Sequence, residues 1–182
     1  MTLAALPLRH QALFLLAICV AYANIWLGGF QFDDYNVIVN NPGVHTWQAW
    51  LDGLGHGIRP LLKLSYTLSW TAGWGIAGFH LFNLFIHLVT VLLVFELSRR
   101  FVGEYALLRE KSLPVALFAA LLFALHPANT EAVTYVSGRS SALMTLVYLG
   151  GLLFYEVGRA HNDKLLLYLG VPLCFAAALA VK

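Results

Sequence analysis

The sequence predicts an all-α integral membrane protein, and three observations support that prediction. Of the 182 residues, 60% are hydrophobic and only 11% are charged, whereas about 25% of the residues of a soluble domain are charged. The apolar residues form runs close to the length of about 20 residues that crosses a bilayer. Because so few polar side chains are present to cover a surface in water, the runs are expected to be transmembrane helices.

Five apolar runs indicate about five transmembrane helices in a single module that covers residues 1–182. The predicted spans are approximately 11–28, 79–97, 113–126, 141–157 and 165–181. The third run is the shortest, so it needs residues from its flanks to cross the hydrocarbon core. Ala21 and Ala23 imitate a signal-peptide cleavage site, but four further runs follow, so we interpret the first run as an uncleaved helix.

The distribution of basic residues predicts that the N-terminus is cytoplasmic, since basic residues concentrate on the inner side of membrane proteins. The inner side then carries seven basic residues and the outer side four. The inner group is Arg9, Arg99, Arg100, Arg109, Lys111, Arg159 and Lys164, and the outer group is Arg59, Lys63, Arg139 and Lys182. The outer face is expected to be periplasmic or lumenal in the endoplasmic reticulum, with the bacterial inner membrane favoured.

The long outer loop, residues 29–78, is predicted to carry two amphipathic helices that lie on the membrane surface. All five tryptophans lie within the loop or at its edge, and Trp prefers the membrane–water interface. Residues 46–54 place apolar side chains at helical spacing after Thr46, which suits an N-cap. Pro60 suits the first turn of the second helix.

Two adjacent acids, Asp33 and Asp34, begin this loop in the stretch GGFQFDDYNVIVNNP. Neighbouring side chains diverge in both helices and strands, so the two carboxylates are not expected to face one substrate atom. One acid can serve as a base or a metal ligand while the other caps a turn or pairs with a cation. The alternative is a solvated turn before a short strand at residues 37–39.

Two further groups of polar residues follow the loop. His80, Asn83 and His87 share one face of the second span, where they can hydrogen-bond between helices, line a cavity or, at an unfavourable spacing, bind a metal. In the connection over residues 126–141, Glu131 and Arg139 can form an ion pair. Alternatively, Arg139 grips an anion, because a planar guanidinium suits phosphate.

Composition narrows the classes of partner. The net charge of +2, without a basic patch, gives no indication of nucleic-acid binding. Cys19 and Cys174 both lie in apolar runs, so they do not indicate a redox compartment. Glu96 is expected to pair with Arg99 or Arg100.

Several of these motifs together resemble those of a known family. The stretches FDDYNVIVNNPGV, RPLLKLSYTLSW, GFHLFNLFIHLVTVLLVF and LLFALHPANTEAVTYVSGRSSALMTLVYL resemble the front half of GT-C-type polytopic membrane glycosyltransferases. The resemblance is closest to protein O-mannosyltransferases with tetratricopeptide repeats and their bacterial relatives. It implies a GT-C-like N-terminal module, and we expect the chain to be the front part of a longer protein.

The resemblance also implies a reaction, in which a sugar moves from a polyprenyl-phosphate carrier to an acceptor hydroxyl on a protein Ser/Thr or a glycan. Asp33 matches the position of the general base, with Asp34 as its neighbour. No cofactor or metal is required, although a divalent metal is compatible. The predicted substrate- and phosphate-binding residues are Arg59, Lys63, His80, Glu131, Arg139 and Lys182, and the predicted cavity-lining residues are Asn83, His87 and His126.

Two other functional classes stay open from the residues alone. One is a non-catalytic membrane subunit or scaffold of the same fold, which would not depend on Asp33. The other is a small transporter with a path lined by His80, Asn83 and His87, although the polar residues concentrate at the outer face rather than at the midplane. Membrane lipid is a predicted partner in every case, and the oligomeric state is left open.

Overall fold

A computed structural model describes residues 8–182, and every regular element within that range is helical. The α-helices are α1 (Leu8–Ala21), α2 (Trp47–Asp52), α3 (Pro60–Thr71), α4 (Gly75–Glu104), α5 (Ser112–Leu125), α6 (Asn129–Thr134), α7 (Arg139–His161) and α8 (Val171–Val181). Short 3-10 turns lie at Ala23–Leu27, Pro42–Val44, Gly53–Gly55 and Arg109–Lys111, and π-helical turns at Tyr35–Val39 and Leu166–Gly170. The prediction of an all-α fold is confirmed for this range.

All five predicted spans coincide with helices, but their lengths differ. By length and composition, α4 with 30 residues and α7 with 23 are able to cross a membrane. The helices α1 and α5 have 14 residues each, and the last apolar helical stretch is also shorter than a full span. The count of five spans therefore stays a prediction.

An inner core joins α1, α4 and α5. Phe14 of α1 and Phe95 of α4 are buried there, with their ring centroids 5.8 Å apart. The residues of α5 in this core are Ala116, Ala120 and Ala124, which recur every four residues and so share one face. Small side chains on that face let α4 and α5 approach closely, as is common in membrane helix pairs.

A second cluster packs the outer loop against the N-terminal ends of α4 and α7. It consists of Ile38, Val44, Leu62, Tyr66, Phe79, Val136 and Val181, all buried. These residues come from the loop, α3, α4, the α6–α7 junction and the end of α8. The cluster therefore fixes the loop to the ends of the long helices.

The loop confirms both predicted helices and corrects the strand. Thr46 caps α2, since its Oγ1 accepts a hydrogen bond from the Ala49 N–H at 3.1 Å, and α3 begins at Pro60. The strand at residues 37–39 is wrong. The Asn40 N–H donates to the Tyr35 carbonyl at 2.7 Å, five residues back, so this segment closes as a π-helical turn.

At the opposite end of α4, the expected pairing of Glu96 is confirmed. Its carboxylate accepts hydrogen bonds from Arg99 at 3.0 Å and from Arg100 at 2.6 Å. Helical spacing of three and four residues brings these side chains together. This cluster stabilises the end of α4 that lies away from the outer loop.

Candidate functional site

An open cavity of about 350 Å³, here called the outer cavity, lies between the outer loop, the start of α3 and the α6–α7 junction. Its lining is mostly polar or charged and comes from three segments of the chain. The lining residues are Asp33, Asn36, Val37 and Asn41 from the loop, Ile58, Arg59, Leu62, Lys63 and Tyr66 from α3 and its entry, and Glu131, Tyr135, Ser137 and Ser140 from the junction.

The two adjacent acids have different surroundings. The Asp34 carboxylate is 0% exposed and accepts hydrogen bonds from the N–H of Gln31 at 2.9 Å and of Ser137 at 2.8 Å, and from the Ser137 hydroxyl. Asp33 is exposed and lines the outer cavity, while its N–H donates to the Tyr135 hydroxyl at 3.1 Å. No residue within 8–182 bonds to the Asp33 carboxylate, so that carboxylate is open to a ligand.

Backbone strain flanks the cavity on two sides. Phe32, which precedes Asp33, has φ of 43°, and Arg59 has φ of 59°. The left-handed region is unfavourable for residues with a side chain. Strained backbone of this kind concentrates at functional sites, where the surrounding packing enforces it. Both positions orient charged groups of the cavity.

The start of α3 contributes the basic wall of the cavity. Arg59 immediately precedes the helix and Lys63 lies in its first turn, and both side chains line the cavity. The Arg59 Nε donates to the Lys182 carbonyl at 2.6 Å, which ties the entry of α3 to the end of α8. A Cβ added to Gly57 would lie 2.9 Å from Lys63 Nζ, so the glycine leaves room for the ammonium group.

Lys182 and Glu131 reach the cavity to different extents. Lys182 contributes its carbonyl to Arg59 and does not line the cavity. Glu131 is exposed on α6 and lines it. The expected ion pair of Glu131 with Arg139 does not form, since the ion pairs within residues 8–182 join Glu96 to its two arginines.

Arg139 lies outside the cavity and is the centre of a closed hydrogen-bond cluster. It is 0% exposed, and its Nε donates to Asn83 Oδ1 at 2.7 Å. Its Nη1 donates to the Ser65 carbonyl at 2.8 Å and to Ser69 Oγ at 3.0 Å, and its Nη2 to the Phe79 carbonyl at 3.0 Å. The guanidinium is therefore committed to protein groups.

Arg139 has no exposed surface in this structure for its predicted contact with a phosphate. Three aromatic rings enclose the guanidinium, with centroids 5.2 Å away for Tyr66 and Phe79 and 4.6 Å for Phe82. Such rings attract a cation through their negative faces. Arg139 instead fixes the start of α7 to α3 and α4, because its hydrogen-bond acceptors belong to those two helices.

Asn83, the first of the predicted cavity residues, holds the junction between α6 and α7. Besides accepting from Arg139, its Nδ2 donates to the carbonyls of Val133 at 3.2 Å and Tyr135 at 3.3 Å. The side chain is buried and does not line the outer cavity. Of the alternatives left open for it, hydrogen bonding between helices is the one that the structure shows.

The three histidines predicted for the site also lie outside the outer cavity lining. His80 is buried with its ring against the Gly28 backbone. His87 Nε2 lies 3.0 Å from the Ala124 carbonyl, and the ring borders a separate cavity of about 210 Å³. His126 is exposed, and its Nδ1 accepts from the Ala128 N–H at 3.2 Å. Helix packing accounts for His87 and turn formation for His126, whereas both ring nitrogens of His80 are buried without a hydrogen-bond partner.

Sequence reasoning missed three hydroxyl-bearing residues of the site, Tyr66, Tyr135 and Ser137. Tyr66 comes three residues after Lys63, and this helical spacing indicates that the two side chains lie on the same face of α3. Tyr135 and Ser137 lie in the stretch that carries the family resemblance. Their contacts with the acids join residues more than one hundred positions apart, which no local pattern encodes.

The fold and the cavity together define a class: a helical protein with two helices long and apolar enough to cross a membrane and a charged cavity at the N-terminal end of one of them, α7. No protein-family model matches the chain, and no solved structure matches it.

The chain is similar to several curated proteins over most of its length. Protein O-mannosyl-transferase TMTC1 of Homo sapiens is 32% identical over 82% of this chain and 18% of its own length. Protein O-mannosyl-transferase Tmtc1 of Drosophila melanogaster is 34% identical over 94% of this chain and 21% of its own. TMTC4 of Homo sapiens, named likewise, is 33% identical over 80% and 22%.

The chain is thus homologous to part of proteins named protein O-mannosyl-transferases, and the expected relationship is confirmed. It spans about a fifth of the length of these relatives. The name O-mannosyl-transferase is that of the relatives, and the region of similarity covers most of the present chain.

Proposed function

We propose that this chain forms the N-terminal module of a membrane glycosyltransferase. The enzyme transfers a sugar, mannose by analogy with the relatives, from a polyprenyl-phosphate carrier to an acceptor hydroxyl, including the hydroxyl of a protein Ser or Thr. The observation that carries the proposal is the outer cavity itself, in which the open carboxylate of Asp33 shares one space with Arg59 and Lys63. Homology to transferases makes this chemistry the best match for that arrangement.

Asp33 is the proposed general base. Its carboxylate takes the proton of the acceptor hydroxyl while the acceptor oxygen forms a bond to the anomeric carbon of the sugar. The bond between that carbon and the phosphate oxygen breaks, and its electron pair leaves with the phosphate. A base must lie within hydrogen-bond reach of the proton it removes, and an exposed carboxylate on the cavity wall can reach a bound hydroxyl.

Arg59 and Lys63 are the proposed stabilisers of the leaving phosphate. As the phosphate departs it gains negative charge, and fixed cations placed where that charge develops lower the barrier. The start of α3 adds to this effect, because the unpaired amides and the dipole of a helix N-terminus favour anions. Since these groups supply positive charge, the proposal does not require a metal ion.

The proposed location of the cavity is the outer membrane face, periplasmic or lumenal, with the N-terminus in the cytoplasm. The asymmetry of basic residues supports this orientation. The long apolar helix α7 begins at the cavity, with Ser140 in the lining, and Phe79, near the start of α4, packs against Tyr66 of the lining. The cavity therefore lies at one end of the proposed membrane-embedded helices. A lipid-linked substrate meets the protein at such a boundary, with its headgroup in water and its chain in the bilayer.

The test is sugar transfer by Asp33→Asn in membranes that contain the full chain. With polyprenyl-phosphate mannose and a Ser/Thr peptide, we expect the rate to fall about 10²–10⁴-fold, the usual contribution of a general base. Asp52→Asn is the matched control, since Asp52 is exposed on α2 and bonds only to Gln48. Membrane insertion and amount of protein are compared by immunoblot for all three proteins.

Two outcomes would contradict the proposal. If Asp33→Asn transfers mannose as fast as Asp52→Asn, Asp33 is not the base. If the longer protein that carries this module transfers no sugar although an intact relative does so under the same conditions, the alternative of a non-catalytic subunit or scaffold is favoured instead.

A further inference from the structure

The Tyr66 hydroxyl is a buried polar group that lacks a hydrogen-bond partner. Tyr66 is 2% exposed and lines the outer cavity, yet no group within residues 8–182 forms a hydrogen bond to its hydroxyl. The Ser137 side chain is a hydrogen-bonding neighbour that lowers the pKa of Tyr66, but its own proton goes to Asp34, and the distances and angles leave the Tyr66 hydroxyl without a hydrogen bond. Buried polar groups are normally paired, so this exception requires an explanation.

The hydroxyl is available as a donor rather than as a phenolate. Burial raises the pKa of Tyr66 to about 12, so the group keeps its proton at any physiological pH. A neutral phenol with no acceptor in the protein can satisfy its donor by bonding to an atom that enters the cavity. Because the hydroxyl oxygen itself is buried, that contact requires an adjustment of side chains at the cavity wall, where Tyr66 lies.

The charges around Tyr66 favour an anionic acceptor. Lys63 and Tyr66 are three residues apart on α3, so they share one face of the helix, and Arg59, which precedes the helix, lines the same cavity. The Arg139 guanidinium lies 5.2 Å from the Tyr66 ring centroid and adds positive potential. Asp34 opposes this potential, but its carboxylate already accepts hydrogen bonds from the chain.

We propose that Tyr66 is a ligand-binding residue that donates a hydrogen bond to an anionic oxygen of a phosphate held by Arg59 and Lys63. The inference rests on the proposed function, because it assigns the phosphate of the lipid-linked sugar to the α3 wall. The helix then presents two cations and one neutral donor to the phosphate, while Asp33 is left to face the acceptor. Tyr66 distinguishes a phosphorylated lipid from the corresponding alcohol.

Binding to the full chain in detergent tests the assignment. The probes are farnesyl phosphate and farnesol, which differ only by the phosphate, and short-chain phosphatidic acid, which presents a phosphate on a phospholipid. Tyr66→Phe removes one oxygen and keeps the ring. Tyr148→Phe is the matched control, because Tyr148 is exposed on α7 and lies outside the outer cavity.

We expect Tyr66→Phe to weaken farnesyl phosphate binding about tenfold or more, as for loss of a hydrogen bond to a charged group, and to leave farnesol binding unchanged. An equal loss for phosphatidic acid shows that Tyr66 recognises the phosphate on either lipid. A loss confined to farnesyl phosphate shows that the isoprenoid chain positions the phosphate. Both outcomes support the donor role of Tyr66.

Thermal stability gives a second measurement, in which Tyr66→Phe is not expected to cause the loss that it causes in ligand binding. Because the hydroxyl is unpaired in the free chain, Tyr66→Phe should keep or raise the thermal midpoint without ligand. A lowered midpoint together with unchanged farnesyl phosphate binding would show that the hydroxyl has a partner within the protein, which overturns the inference. If the wild type binds farnesyl phosphate no better than farnesol, the proposed phosphate donor fails independently of Tyr66.

Discussion

The Arg139 cluster and the outer cavity are adjacent, and both contain charged groups, but their hydrogen bonding differs. In the cluster, the guanidinium donates to Asn83, Ser65, Ser69 and Phe79 and has no exposed surface. In the cavity, the Asp33 carboxylate has no partner within residues 8–182 and faces open space. One region uses its charge to hold helices together, and the other leaves its charges available.

Whether a charged side chain is hydrogen-bonded within the protein distinguishes structural charges from functional ones better than its residue type does. Asp33 and Asp34 have the same side chain and are neighbours, yet one is buried and bonded while the other lines the cavity. Arg59 and Arg139 differ in the same way. Substitutions in the cluster should therefore change stability first, whereas substitutions in the cavity should change substrate handling first.

The largest effect on stability is expected for Arg139→Gln. The shorter side chain cannot reach the acceptors on both α3 and α4, so several buried polar groups lose their partner at about 1–3 kcal/mol each. We expect a loss of about 3 kcal/mol or more in the free energy of unfolding, measured by denaturation in detergent. Arg159→Gln, at an exposed position on α7, serves as the control. Equal stability of the two variants would contradict the structural role of the cluster.

A smaller loss of stability is expected for Asp34→Asn, because an amide cannot accept all the hydrogen bonds that the carboxylate accepts from Gln31 and Ser137. The expected cost is about 1–3 kcal/mol, measured in the same denaturation experiment. The matched variant Asp33→Asn should stay within about 0.5 kcal/mol of wild type, as surface substitutions usually do. A lower stability of Asp33→Asn than of Asp34→Asn would contradict the assignment of Asp34 to structure and of Asp33 to the cavity.

The smallest effect is expected for Lys63→Gln in the cavity. The variant should raise the KM for the phosphate-linked sugar about two- to fivefold, since a partly exposed charge contact is modest in strength, with little change in kcat. Lys182→Gln is the control, because Lys182 contributes its carbonyl rather than its side chain to the α3 entry. Similar KM values for the two variants would remove Lys63 from the phosphate-binding wall.

Much of the fold could be predicted from the sequence because apolar runs and caps act locally. Thr46 and Pro60 marked the starts of the two loop helices, and both helices begin there. The β-branched residues at 37–39 favoured a strand, but tertiary packing of Ile38 in the second cluster described above overrides that preference. The short helix α6 went unpredicted because residues 126–141 show turn residues rather than a helical period.

The sequence predicted those parts of the site that depend on residues close together in the chain. Asp33, Arg59, Lys63 and Glu131 were all predicted for the site, and the structure brings them to one cavity. The burial of Arg139 could not be predicted, because its partners precede it by 56 to 74 positions. Ser65 and Ser69, four residues apart on α3, were the only local sign that a helix face there was polar.

The Arg139 cluster also determines when the cavity can be completed during synthesis. The groups that bond to Arg139 lie on α3 and α4, which leave the ribosome well before residue 139. Similarly, the Asp34 carboxylate can accept its hydrogen bond from Ser137 only after residue 137 has been synthesised. The acceptors on α3 and α4 and the Asp34 carboxylate therefore lack these partners until the start of α7 is in place.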